Sequence, residues 1–198
     1  MKKVMISMFV AVSLLTACNN SGSDKKEIST TTEPTAAVPA DTVNKQAPAA
    51  ATATAVSIKE ILADYLQMKN AFAKDNSKDA ATAGNAMGAS FASFNKAALT
   101  PDQAKIYNDI EDDAKEHAEH IGMNAGKIEH QREHFDMLSK DMYQLIKTFG
   151  AGQNLYYDQC PMYNDGKGAN WISETKEIAN PYLGKKMPTC GSVKEELK

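Results

Sequence analysis

Apolar positions recur at helical spacing from Ser57 onward. Ile58, Ile61, Leu62, Tyr65, Leu66 and Phe72 fall on one face of a helix that should end between Lys74 and Asn76, and Ser57-Ile58-Lys59-Glu60 reads as a capping box at its start. Ser77 is placed to cap a second, alanine-rich helix with Met87, Phe91 and Phe94 on one face, running to about Ala98. Thr100-Pro101-Asp102-Gln103 combines an N-cap, a proline at the first helical position and a capping-box glutamine, and Ile106, Ile110, His117 and Ile121 then share a stripe. The clearest pattern spans Lys127 to Phe149, where Ile128, Phe135, Leu138, Met142, Leu145 and Phe149 lie on a single face before Gly150 stops the helix.

A continuous rod over residues 101–149 would be roughly 70 Å long, too long for a domain of this size, so Gly122 and Gly126 mark a break. Four helices of similar length with short connections predict an all-α fold, an antiparallel four-helix bundle in up-down-up-down order. Residues 150–198 are rich in Gly, Pro, Asn and Tyr, and predict an irregular C-terminal tail, containing Cys and Met, packed on the bundle by Tyr156, Tyr157 and Tyr182 with their hydroxyls at the rim.

The residues before Ser57 have another character. Lys2 and Lys3 precede an apolar run from Val4 to Leu15 that ends in Leu15-Thr16-Ala17-Cys18, the proportions of a signal peptide over residues 1–17 with a lipobox. The run is too short to span a bilayer as a helix, for which about 20 residues are needed. Cleavage before Cys18 and lipidation of its thiol would anchor the chain on the periplasmic side of a bacterial membrane, inner or outer. Residues 18–56 comprise that cysteine and a Thr/Ala/Pro-rich stretch without periodicity, which predicts a disordered tether with a reach of roughly 30–35 Å. The domain proper is then 57–198. Of 22 basic residues, loss of the leader removes two and none of the 25 acidic ones, so the mature chain is the more acidic and a nucleic-acid partner is not expected.

All four histidines lie between His117 and His134. His117 and His120 are three apart near the end of the third helix, and His130 and His134 four apart near the start of the fourth, so each pair sits on neighbouring turns. A hairpin between them brings both pairs to one end of the bundle, where they could share a metal ion; His117, on the apolar stripe, could equally be a core histidine. His130-Gln131-Arg132-Glu133-His134 also fits the H-x-x-E-H pattern of the inverzincin peptidases, but the chain lacks the strands and length that such enzymes need, and no enzymatic activity is expected. A di-iron bundle is excluded because no histidine has a glutamate three residues before it, and a c-type haem because C-x-x-C-H is missing. Arg132 reads as an ion-pair or capping residue, and Glu111, Asp112 and Asp113 as a solvated helix face.

Cys160, Met162, Met187 and Cys190 form a second constellation of two thiols and two thioethers, a soft donor set suited to Cu(I). A Cys160–Cys190 disulfide, with the methionines packed over it, explains the same residues in an exported protein. If the tail runs back along the bundle, His130 and His134 become additional ligands for the sulfur site.

Ile128-Glu129-His130-Gln131-Arg132-Glu133-His134-Phe135, Cys160-Pro161-Met162, Trp171-Ile172-Ser173, Asn180-Pro181-Tyr182 and Met187 with Cys190-Gly191 resemble, in this order, the domain of unknown function 3347 family over most of residues 57–198. That family occurs in exported proteins and in periplasmic adaptor subunits of heavy-metal efflux systems. The resemblance implies a periplasmic copper or heavy-metal role, with an efflux adaptor or another envelope protein as partner. Two functions stay open: a lipoprotein that sequesters Cu(I) or delivers it to an efflux system, and a non-catalytic interaction module of the envelope in which Cys160 and Cys190 form a structural disulfide.

Overall fold

A computed structural model of the chain describes residues 57–198; the leader, Cys18 and the tether, with the expectations placed on them, lie outside the described residues. The four amphipathic segments form α1 (Lys59–Ala73), α2 (Ser77–Ala92), α3 (Pro101–Met123) and α4 (Ile128–Phe149). Thr100 and Gln103 close the expected capping box on α3 behind Pro101. The cap of α1 differs from expectation. Ile58 is pulled into the core and becomes the N-cap, so Ser57 Oγ accepts only the N–H of Lys59, at 3.2 Å. On α2 the cap is Asn76, whose side chain accepts the N–H of Asp79, and this frees the Ser77 hydroxyl for other partners. That helix stops at Ala92, short of Ala98, because Asn95 caps a separate 3-10 turn over Lys96–Ala98.

Contacts between helix ends establish the up-down-up-down order. Ser90 at the end of α2 donates to Asp64 near the start of α1, Phe149 at the end of α4 packs edge-on against Tyr107 near the start of α3, and Phe72 at the end of α1 meets Phe135 near the start of α4. Gly84 of α2 allows a close crossing with α3, since a Cβ there would lie 2.7 Å from the carbonyl oxygen of Ala118. Gly122 was expected to break the rod; α3 instead runs through it against Asn85, and the turn is made at Gly126, whose φ of +90° suits glycine.

The tail departs from expectation. It forms a three-stranded antiparallel sheet of β1 (Leu155–Cys160), β2 (Ala169–Ser173) and β3 (Ser192–Leu197) in the order β2-β1-β3. The fold is therefore helix-rich with a small sheet rather than all-α. The Asn, Asp and Gly residues that read as irregular chain make the β1–β2 turn, where Asn164, Asp165, Gly166 and Gly168 all have positive φ. A bulge between Tyr157 and Asp158, opposite β3, shifts the alternation and turns both Asp158 and Cys160 inward.

The sheet covers the seam between α1 and α4. Trp171, Ile172 and Tyr182 are buried there with Tyr65, Phe135 and Ser139. The Ile172 N–H donates to the Tyr65 hydroxyl at 3.1 Å, and that hydroxyl lies 2.8 Å from Ser139 Oγ, while the buried Trp171 Nε1 has no protein partner. Tyr182 was expected with its hydroxyl at the rim, but it is buried and donates to the carbonyl of Asn170 at 2.5 Å. Tyr157 packs on Tyr143 of α4, ring centroids 4.3 Å apart.

Candidate metal centre

The α3–α4 hairpin is held by two side chains from outside its turn. Ser77 Oγ donates to Gln131 Oε1 at 2.5 Å and accepts the Gly126 N–H at 2.7 Å. Gln131, fully buried, donates through Nε2 to the carbonyls of Ile121 at 2.8 Å and Ser77 at 3.1 Å. These bonds tie the start of α2 to the end of α3 and the start of α4, and so set the positions of the histidines that those helices carry.

All four imidazoles converge at this end of the bundle, each half-buried. Nδ1 of His117 and Nδ1 of His134 are 3.2 Å apart. His134 stacks on His120 with centroids 4.5 Å apart and meets His130 edge-on at 4.7 Å. One donor nitrogen from each of His120, His130 and His134 lies within 4.8 Å of the others. Two nitrogens bound to one ion by bonds of about 2.0–2.1 Å at a tetrahedral angle are about 3.4 Å apart, close to the spacing of the His117–His134 pair. Glu133 lies within hydrogen-bond distance of one outer ring, 3.2 Å from His130 Nδ1, and Glu116 is 3.8 Å from His120 Nε2.

The electrostatics keep the inner rings neutral. Burial, and then the proximity of His120, His117 and His130, lowers the pKa of His134 to about 4; burial also lowers that of His117. A neutral imidazole presents a lone pair to a metal ion, so His117 and His134 hold no competing proton at neutral pH. Asp141, two turns beyond His134, has its pKa raised to about 6 by burial and by Asp113.

Of the second constellation the two thiols are brought together. Sγ of Cys160, at the end of β1, lies 3.1 Å from Sγ of Cys190. Met162 and Met187 are near them in sequence and exposed. The tail does run back along α4, and it does so on the side away from the histidines: Arg132 donates to the carbonyl of Pro181, Ser139 meets Tyr182, and Tyr143 donates to Glu195. At 100° per residue these three positions point roughly opposite to His130 and His134 on α4. The thiols and the imidazoles are thus two clusters separated by the body of a helix. Arg132 takes the structural role expected of it, donating to Asp75 at 2.6 Å, to Glu129 at 3.1 Å and to the last carbonyls of α1 through Phe72 at 3.0 Å.

Sequence reasoning passed over Met123 and Met137. Among the described residues the four exposed large hydrophobic side chains are all methionine, Met123, Met137, Met162 and Met187. Met123 follows His120 by three residues and Met137 follows His134 by three, one helical turn in each case, which is the signal that could have found them.

Residues 61–154 match the family described as protein of unknown function (DUF3347). The match runs from the third residue of α1 through α4, takes in all four histidines and ends before β1. No curated protein and no solved structure matches the chain.

Proposed function

Starting from a helical half that matches a family without an assigned activity, we propose that this protein is a copper-binding lipoprotein, lipidated at Cys18 on the periplasmic side of a bacterial membrane. It sequesters the metal or passes it to a heavy-metal efflux adaptor or another envelope protein, and it catalyses no reaction. The observation that carries the reading is the convergence of His117, His120, His130 and His134 at the locked α3–α4 hairpin. Four imidazoles suit copper and zinc alike; copper lies higher in the affinity order for divalent ions, and the exposed thioethers of Met123 and Met137 one turn away suit its reduced form.

Titration of the full-length protein with Cu(II), followed by calorimetry and by visible absorption, tests the site. One ion should bind, and His120→Ala/His134→Ala should weaken binding by more than the about 10–100-fold typical of losing a mere orienting partner. Unchanged affinity in that variant overturns the proposal. The anchor has its own test: Cys18→Ser should abolish incorporation of labelled palmitate, and label retained in the variant would refute the lipoprotein assignment.

A specific observation favours the second reading, an envelope interaction module with a structural disulfide: the 3.1 Å approach of Cys160 and Cys190. Under that reading the histidine variant and the wild type would bind copper equally weakly.

A further inference from the structure

Cys160 and Cys190 are held by a designed-in scaffold rather than by a free loop. Asn180, buried, spans the segment that leads to Cys190: its N–H donates to Pro188 O at 2.9 Å, its Nδ2 to Cys190 O at 2.6 Å, and its Oδ1 accepts the N–H groups of Tyr182 and Leu183, both at 2.8 Å. Arg132 fastens the same segment to α4 through Pro181. Gly191 lets the chain pass close over Trp171, where a Cβ would lie 2.8 Å from the indole edge. Cys190 is tied to one of the two methionines through the backbone, its N–H donating to Met187 O at 3.2 Å.

The sulfur spacing by itself leaves two outcomes open. A disulfide of about 2.05 Å needs the sulfurs about 1 Å closer, whereas one ion bound to both by bonds of about 2.3 Å near the tetrahedral angle needs them about 0.7 Å further apart. The methionines break the tie. A structural disulfide has no need of two exposed methionines close to its cysteines in the chain, and apolar side chains left in water gain nothing from burial. To a soft ion, Met162, two residues from the buried Cys160, and Met187, three residues from Cys190, offer two exposed neutral sulfur donors.

We propose that Cys160, Cys190, Met162 and Met187 form a second metal site, specific for a soft monovalent ion such as Cu(I) or Ag(I), and independent of the histidine cluster on the far side of α4. Binding exchanges thiol protons for the cation and involves no electron transfer. The site discriminates against zinc and other divalent ions, which favour four strongly bound nitrogen, oxygen or thiolate ligands.

The test uses the full-length protein, reduced and handled without oxygen, in competition with a chromophoric Cu(I) chelator. Cys160→Ser/Cys190→Ser should lose more than about 100-fold in Cu(I) affinity, and Met162→Leu/Met187→Leu should lose about tenfold or more while both thiols stay reduced. Introduced into the His120→Ala/His134→Ala background, which removes the hairpin site, the cysteine substitutions should cause the same loss, which separates the proposal from the histidine site. A measurement on the wild type avoids any folding defect in the variants: one equivalent of Ag(I) should protect Cys160 and Cys190 from alkylation, as read by mass spectrometry of their peptides. Wild-type affinity in the double cysteine variant, an unaffected methionine variant, or free alkylation in the presence of Ag(I) would each overturn the second site.

Discussion

Arg132 has more to hold than any other charged side chain in the fold. It is buried, it caps α1, it pairs with Asp75, whose carboxyl it holds below the usual range, and it anchors the tail at Pro181. Removing one partner of a buried ion pair leaves the other uncompensated, so Arg132→Ala should cost about 3–5 kcal/mol in urea unfolding. Glu129→Gln, at the exposed end of the same network, should cost less than about 1 kcal/mol. Equal losses in the two variants would contradict this division. His134 makes a different kind of prediction. Its folded pKa of about 4 lies below the value near 6.5 of an unfolded imidazole, so between these pH values the unfolded chain binds a proton that the folded state does not. Its contribution to stability is therefore lost as pH falls from about 6.5 towards 4. Asp141 and Asp158, both raised to about 6, act in the opposite sense and recover stability as pH falls below about 6. His134→Gln should accordingly flatten the acid limb of a melting-temperature profile of the metal-free protein. A limb of wild-type slope would show that His134 is not so perturbed.

The α3–α4 hairpin depends on contacts made across the chain. Gln131→Leu keeps the size of the side chain but leaves Ile121 O, Ser77 O and the Ser77 hydroxyl without their partner, and should cost about 1–3 kcal/mol in thermal or urea melts. Because the same bonds set the histidine positions, copper affinity at the hairpin should fall with it, and an affinity equal to wild type would show that the rings position themselves. The existence of all four helices was legible in their apolar stripes, and the start of α3 was legible to the residue because Thr100, Pro101 and Gln103 are local signals. The caps of α1 and α2 were not. Burial of Ile58 and the pairing of Ser77 with Gln131 decide them, and both are tertiary facts. β1 and β2 were missed because the Gly, Asn and Asp residues of the tight turn between them read as irregular chain and neither short run alternates cleanly.

Across the whole molecule, the helices and the sheet depend on one another. The family match ends at residue 154, yet Trp171, Ile172, Tyr182 and Leu197 beyond it are buried in the same core as Tyr65 and Phe135. Truncation after residue 154 should therefore expose the α1–α4 seam and abolish a cooperative melt, whereas residues 57–198 should fold alone with a circular dichroism spectrum dominated by helix. A sharp transition in the 57–154 fragment would show the sheet to be an appendage. Period, capping chemistry and the clustering of His117, His120, His130 and His134 along the chain are local properties, and they alone specified four helices, a hairpin break and an imidazole-rich end. Which face each donor occupies was decided by packing. The tail returns along α4 on the side of Arg132 and Tyr143, because the apolar seam it must cover lies there, and this puts Cys160 and Cys190 together while keeping them apart from the histidines.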